Sequence, residues 1–191
     1  MSPRTEEQFE EIRETKKKLI LETAFYLFAT EGFYPTSISK IANKAGISKG
    51  LIYNYFSSKE ELIIEIVFDG IDRLMKFFDP NRDGKLTKEE LKFFIEEIFR
   101  IMKKNLHFWK LYFSILSQQA VLKLVENKLL EFFKPAFKML EDYFEKQGVE
   151  DPVMETRFFG ALIDGVAFDY IIDPENFPLE KIKKRILSLY L

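Results

Sequence analysis

The stretch from Phe33 to Lys59 has residue types that could bind a polyanion. It contains no Asp or Glu, but it contains four lysines, at positions 40, 44, 49 and 59. Its charge of about +4 contrasts with the net charge of −2 of the whole 191-residue chain. A carboxylate at a DNA-contacting surface would repel the phosphates, so this acid-free stretch indicates a nucleic-acid interface.

The same stretch has the spacing of a helix-turn-helix. Two short helical segments, 38–45 and 49–55, are separated by a turn that contains Gly46. In a helix-turn-helix the first helix braces against the DNA backbone, and the second lies in the major groove. Ile52 and Phe56 lie four residues apart and supply the inward face of the second segment, which leaves its polar face for DNA.

Several side chains on and around the second segment suit contact with DNA. Asn54 can pair with adenine, while hydroxyl groups and a lysine at a helix start suit phosphates. Tyr53 and Tyr55 are open to a second interpretation, in which their rings belong to the core. The sequence predicts DNA contacts from Thr36, Ser37, Ser48, Lys49, Gly50, Tyr53, Asn54, Tyr55 and Lys59.

Together these residues resemble the TetR (tetracycline-repressor) family of bacterial transcription regulators. The resemblance covers residues 12–65, and Asn54-Tyr55 departs from the aromatic-His pair of many members. The matching segments are 24–28 (AFYLF), 31–33 (EGF), 36–42 (TSISKIA), 45–48 (AGIS) and 50–62 (GLIYNYFSSKEEL).

The resemblance implies an all-α protein with two domains. Residues 1–58 would form a three-helix helix-turn-helix DNA-binding domain, and residues 59–191 a helical domain for ligand binding and dimerisation. It implies a homodimer formed through the last two helices, which would bind a near-palindromic site on double-stranded DNA. It also implies a small, largely apolar effector that releases or modulates the regulator, which is expected to be a repressor. The pocket residues are not assigned.

Apolar spacing predicts helices along the whole chain and no persistent strand. The first eleven residues are expected to be frayed, and Pro135 is expected to kink or split its helix. The predicted helices are 12–30, 38–45, 49–55, 59–78, 87–103, 106–125, 126–147, 152–172 and 178–190.

Residues 79–90 (DPNRDGKLTKEE) fit the loop of an EF-hand calcium site. In such a loop, oxygens at alternate positions surround the cation, a glycine permits a sharp turn, and a final Glu binds with both oxygens. EF-hands usually occur in pairs and this loop has no partner in the sequence, so a polar loop whose Thr87 caps the next helix is the alternative. The predicted calcium ligands are Asp79, Asn81, Asp83, Lys85 through its carbonyl, Thr87 and Glu90.

The composition excludes several other classes of protein. With no Cys and one His, the chain has no thiolate metal site and little of the nucleophilic machinery of an enzyme. We expect no required cofactor and a cytoplasmic location, because the sequence shows no signal-peptide pattern and no membrane span. The competing hypothesis is a helical calcium-binding or interaction protein, with or without DNA binding.

Overall fold

A computed structural model describes residues 5–191 and shows an all-α fold over that range, with no strand. None of the helices in that range is long and apolar enough to cross a membrane. The helices are α1 (Glu6–Glu31), α2 (Ile38–Ala45), α3 (Lys49–Tyr53), α4 (Lys59–Met75), α5 (Lys88–Lys104), α6 (Leu106–Leu116), α7 (Gln119–Lys146), α8 (Pro152–Ile172) and α9 (Leu179–Tyr190).

Helix α1 begins earlier than the sequence predicted. Residues 6–11, which were expected to be frayed, form its first turns. The cause is a capping box, in which the Thr5 hydroxyl accepts from the Gln8 N–H and the Gln8 side chain accepts from the Thr5 N–H. The rest of the expected frayed segment, residues 1–4, lies outside the described residues.

The two helices of the predicted helix-turn-helix begin at capping serines. Ser37 accepts from the Lys40 N–H at 3.2 Å, and Ser48 accepts from the Leu51 N–H at 3.2 Å. Gly46 ends α2 with φ of +67°, a conformation that favours glycine. The prediction of α2 is confirmed, and α3 is shorter than predicted because Asn54 caps it after Tyr53.

The break between α6 and α7 lies at residues 117–118, whereas the sequence predicted it at residues 125–126. The backbone at the true break contains neither Gly nor Pro, so local residue types gave no signal there. Of the two expectations at Pro135, the split is wrong, because α7 continues through that residue, and the kink stays a prediction.

The described helices form two structural units, each drawn from separate parts of the chain. The first comprises the chain up to Asp69 together with Leu111–Val125, and the second comprises Gly70–Lys110 and Glu126–Leu191. Helices α4, α6 and α7 each continue from one unit into the other. The sequence-based division of the chain after residue 58 stays a prediction.

Large apolar side chains form the core of the first unit. Burial of such side chains is the main force that holds short helices such as α2 and α3 in place. The residues with at most 1% of their surface exposed include Phe28 of α1, Ile41 of α2, Ile52 of α3, Phe56 of the following turn, and Leu62 and Ile63 of α4.

In the second unit, an aromatic cluster joins α7, α8 and α9. The rings of Phe144, Phe159 and Tyr190 lie 5.0 to 6.3 Å apart, within the range of favourable aromatic pairs. The Tyr190 hydroxyl also donates to Glu155 Oε1 at 2.9 Å. These contacts fix α9 against the two helices that precede it.

Candidate nucleic-acid interface

Helix α3 presents one apolar face to the core and one polar face to the surface. Ile52 is fully buried, whereas Lys49, Gly50, Tyr53 and Asn54 are exposed. This division is the one that a groove-reading helix needs, because its outer face must meet base edges and phosphates. Four of the predicted DNA-contacting residues therefore share one surface.

Two further features suit this surface to DNA. A Cβ added at Gly50 would meet nothing within 4 Å, so the helix backbone is open on that side. The Lys49 ammonium lies 5.7 Å from the centre of the Tyr53 ring, within the range of a cation–π interaction. The surface thus combines a cation, an aromatic ring and an accessible backbone.

Ser37 and Ser48, the caps of α2 and α3, are also exposed. Each hydroxyl is used as an acceptor by its own helix, so its proton remains for another acceptor. Ser37 and Ser48 thus lie at the exposed N-termini of the two helices, where backbone N–H groups favour an anion.

Thr36 occupies a different environment from the other predicted contacts. It is fully buried, and its hydroxyl donates to the Gly32 carbonyl at 2.8 Å. A buried hydroxyl with an internal acceptor holds the turn between α1 and α2 in shape. The Thr36 hydroxyl is therefore not accessible to DNA, and this residue supports DNA contact only by holding the turn in shape.

The Lys59 side chain also binds the turn between α1 and α2. Its ammonium donates to the carbonyls of Phe33, Tyr34 and Thr36 at 2.9, 3.3 and 3.1 Å. An ammonium has three protons, and all three have acceptors here. A phosphate at this position would meet the backbone N–H groups at the start of α4 rather than the lysine head group.

Tyr55 is half-buried, and its ring centre lies 6.4 Å from that of Phe56. Both interpretations that the sequence left open apply to Tyr55, because its ring packs beside a core residue and part of its surface remains accessible. Tyr53 is 47% exposed and does not belong to the core. Of the nine predicted contacts, six are exposed, one is buried (Thr36) and two are half-buried (Tyr55 and Lys59). The exposed ones are Ser37, Ser48, Lys49, Gly50, Tyr53 and Asn54.

Sequence reasoning missed three residues of α6 and the α6–α7 corner that bond to α1, to the α1–α2 turn and to α4. Gln118 accepts from the Phe33 N–H at 2.7 Å, and the Ser114 hydroxyl donates to the Ala29 carbonyl at 2.9 Å. The Tyr112 hydroxyl donates to the Val67 carbonyl at 2.6 Å. These pairs lie at least 45 residues apart in the chain, so no local pattern could indicate them.

A cleft of about 290 Å³ lies between the α1–α2 turn and the beginning of α7. Its walls are backbone and side chains of the turn on one side and the first residues of α7 on the other. The lining residues are Gly32, Phe33, Tyr34, Pro35, Gln118, Gln119, Ala120 and Lys123.

The loop at residues 79–90 contains the glycine turn that an EF-hand requires, but its side chains are not arranged as calcium ligands. Gly84 has φ of +73°, and its N–H donates to Asp79 at 3.1 Å. Glu90 is used in a capping box with Thr87, whose N–H it accepts at 2.9 Å. Over residues 5–191 no group of three or more His, Cys, Asp or Glu side chains is placed to hold a metal ion.

The structure thus gives the calcium prediction no support, because the carboxylate that would close the site caps α5 instead. Two of the other predicted ligands are also used within the loop. Asn81 and Asp83 accept from backbone N–H groups two residues further along the loop, as Asn and Asp do in ordinary turns. The alternative, a polar loop with Thr87 as the helix cap, is confirmed.

Comparison with known proteins agrees with the helix-turn-helix assignment. The family model of the bacterial regulatory proteins of the tetR family matches residues 20–66. The chain is 24% identical over 179 residues to the fatty acid metabolism regulator protein of Bacillus subtilis, with 89% of this chain and 91% of that protein covered.

Two solved structures share the fold over almost the whole chain. One is the transcriptional regulator FadR of Bacillus subtilis in complex with stearoyl-CoA, with a TM-score of 0.71, 20% identity, and coverage of 91% of this chain and 96% of that chain. The other is NalD of Pseudomonas aeruginosa, the secondary repressor of the MexAB-OprM multidrug efflux pump, with a TM-score of 0.71, 21% identity, and coverage of 94% and 95%.

The matched family region contains the complete helix-turn-helix, from the end of α1 to the first half of α4. The relatives with similar length are regulators and not enzymes. The helix-turn-helix region, residues 20–66, belongs to the TetR family, and the chain is a DNA-binding transcriptional regulator of that type.

Proposed function

We propose that this regulator is a dimeric repressor whose binding to a near-palindromic DNA site is relieved by a small, largely apolar effector. Regulators of this family bind DNA and small-molecule effectors and act as dimers. The observation that carries the proposal is the outer face of α3, where Lys49, Gly50, Tyr53 and Asn54 are exposed together.

Each residue of this face has a definite role in the proposal. Asn54 reads a base edge in the major groove, and Gly50 lets the helix backbone approach the DNA. Lys49 and Tyr53 bind phosphates or bases at the edge of the groove. Ser37, Ser48 and Tyr55 add phosphate contacts, while Thr36 and Lys59 hold the α1–α2 turn and the start of α4 in position.

Helix α8 carries the surface through which we propose that two copies associate. Apolar or small residues recur on its exposed side at alternating spacings of four and three, the repeat of a helix that packs along another helix. Phe158 is 54% exposed and Ile172 is 63% exposed. A homodimer through α8 and α9 would cover this stripe, which consists of Met154, Phe158, Ala161, Gly165, Phe168 and Ile172.

The effector class that we propose is a compound with a long acyl chain, which is its apolar part, and a long-chain acyl thioester of coenzyme A is the compound to test first. The relative named as a fatty acid metabolism regulator aligns over 89% of this chain, and a regulator of similar fold is known in complex with stearoyl-CoA. NalD, a repressor of a multidrug efflux pump, has a similar fold, so the effector is tested directly rather than inferred from the fold.

DNA binding is tested by selecting bound fragments from a random DNA pool and measuring the affinity of a selected duplex at several salt concentrations. Lys49→Ala is expected to weaken binding and to reduce the salt slope by about one unit. Lys128→Ala removes an equal charge from an exposed position of α7 and is expected to change neither quantity. Failure to select any fragment, even at low salt, would overturn the proposal.

The effector is tested by adding stearoyl-CoA to the complex with a selected duplex. Release of the duplex by stearoyl-CoA, but not by coenzyme A or stearate alone, is the expected result. Release by stearate alone would place the specificity in the acyl chain only. No release by any of the three would remove the proposed effector class and leave the DNA-binding proposal intact.

A further inference from the structure

Gln118 lies at the corner between α6 and α7, yet its carboxamide binds the backbone around the end of α1. Its Oε1 accepts from the Phe33 N–H at 2.7 Å. Its Nε2 donates to the carbonyls of Phe28 and Ser114 at 2.9 and 3.2 Å. Only one orientation of the amide places its oxygen at an N–H and its nitrogen at two carbonyls, so these contacts define the orientation.

Phe33 connects Gln118 to the helices that carry the DNA-binding face. Its N–H is held by Gln118, and its carbonyl is held by Lys59 at the start of α4. Helix α2 begins at Ile38, only five residues after Phe33, and packs against α3. The turn that sets the position of α2 is therefore held on one side from α4 and on the other from the α6–α7 corner.

Gln118 is placed to transmit a displacement and not only to stabilise the fold. It lies 85 residues from Phe33 in the chain, and both helices that flank it, α6 and α7, continue into the second unit. Helices are stiff along their axes, so a shift in either one would move the corner between them. Ser114, with its bond to the Ala29 carbonyl, strengthens the same attachment.

We propose that Gln118 is the positioning residue that couples the α6–α7 corner to the DNA-binding helices through Phe33. The inference rests on the proposed function, because it requires that α3 binds DNA. Coupling between two sites is reciprocal. DNA bound at α3 is therefore expected to alter the α6–α7 corner, and the Gln118 side chain carries the larger part of this effect.

The test compares Gln118→Met with Gln119→Met by hydrogen exchange and by binding to a duplex selected from the random pool. Methionine keeps the length of glutamine but has no donor and only a weak acceptor. Gln119 is exposed and lies next to Gln118 in the chain, which makes it a matched control. In the free protein, the Phe33 amide of Gln118→Met is expected to exchange at least tenfold faster than in the wild type and in the control.

The second readout is the response of the corner to DNA. Binding of the duplex is expected to slow exchange in residues 111–125 of the wild type and of Gln119→Met. In Gln118→Met this response is expected to fall to less than half of that in the control although the duplex still binds. A structural role alone would change the exchange of the free protein but would leave the response to DNA in place.

Each other outcome has a definite meaning. A variant that binds DNA and keeps the response in residues 111–125 overturns the coupling, as does a wild type that binds DNA without any response. A wild type that binds no duplex overturns the proposed function and the coupling together. If Gln118→Met does not fold, Gln118→Lys, which keeps donors for the Phe28 and Ser114 carbonyls but loses the acceptor for the Phe33 N–H, is expected to show a reduced response, and an unchanged one overturns the coupling.

Discussion

The Lys59 ammonium contacts both the backbone carbonyl and the aromatic ring of Phe33. The ammonium lies 2.9 Å from the Phe33 carbonyl oxygen and 4.3 Å from the centre of the Phe33 ring. Phe33 itself is buried, so the lysine fixes a residue that belongs to the core of the first unit. The start of α4 and the turn before α2 are thus joined by one side chain.

This relationship predicts that Lys59→Met lowers stability as well as DNA affinity. Methionine keeps the apolar stem but leaves three carbonyls without their donor, at a cost of about 2 kcal/mol. Thermal unfolding of the free protein is expected to show a midpoint roughly 4–8 °C lower. Lys49→Ala, on the outer face of α3, is expected to leave the midpoint unchanged. Equal midpoints for wild type and Lys59→Met would contradict the role given to the ammonium.

The helix-turn-helix shows how much of the fold could be predicted from the sequence. A helix cap such as Ser37 or Ser48 acts within three residues of itself, so its signal is contained in the local sequence. The spacing of Ile52 and Phe56 indicated the buried side of α3 for the same reason. These signals are local, and they were sufficient to predict the all-α fold, the helix-turn-helix and most of its exposed face.

Long-range contacts could not be predicted in this way. Lys59 was predicted as a phosphate contact from its place at a helix start, whereas its ammonium binds carbonyls 23 to 26 residues earlier in the chain. Gln118 bonds across 85 residues, and nothing about an isolated glutamine indicates such a bond. The loop at residues 79–90 matched a calcium motif because residue spacing does not reveal where the Glu90 carboxylate turns.

Gly50→Ala is expected to separate DNA binding from stability. The added methyl group meets nothing within 4 Å in the protein, and alanine in place of glycine stabilises a helix by about 0.5–1 kcal/mol. The same methyl group occupies the space through which DNA would approach, so affinity for the selected duplex is expected to fall at least tenfold. Gly160→Ala in α8, where a Cβ is equally unobstructed, is the control and should leave DNA affinity unchanged.

Tyr112→Phe is expected to change how stability depends on pH. Burial raises the pKa of Tyr112, and the charge of Asp69 raises it further. The folded protein therefore keeps the phenol protonated while the unfolded chain ionises near pH 10. Stability from this residue is present below about pH 10 and is lost as the pH rises further.

At neutral pH the variant loses its bond to the Val67 carbonyl, at a cost of about 1 kcal/mol. Between about pH 9.5 and 11, it is expected to lose less stability than the wild type. Tyr26→Phe, at an exposed tyrosine of α1, is the control for calorimetric unfolding over this range. Parallel curves for wild type and Tyr112→Phe would refute the assignment.

Thr87→Ala is expected to destabilise α5 equally with and without calcium. The hydroxyl of Thr87 accepts from the Glu90 N–H at 3.1 Å, and removal of such a cap costs about 1 kcal/mol. Because the capping box does not involve a cation, thermal unfolding in millimolar calcium and in chelator should give the same loss. A loss that grows in calcium would show that the Thr87 side chain contributes to binding an ion, and would restore the EF-hand interpretation.

Gly165→Leu is expected to dissociate the dimer without unfolding the protomer. Gly165 is exposed on α8, and a Cβ at this position meets nothing within 4 Å in its own chain. Leucine is also a better helix former than glycine, so the helix tolerates it, whereas a second helix packed along the stripe could not approach as closely. Sedimentation equilibrium should show monomers for this variant and dimers for Glu131→Leu, which adds the same side chain to an exposed position of α7. A dimeric Gly165→Leu would exclude the α8 stripe as the interface, and the two DNA-binding faces would then have to be paired through another surface.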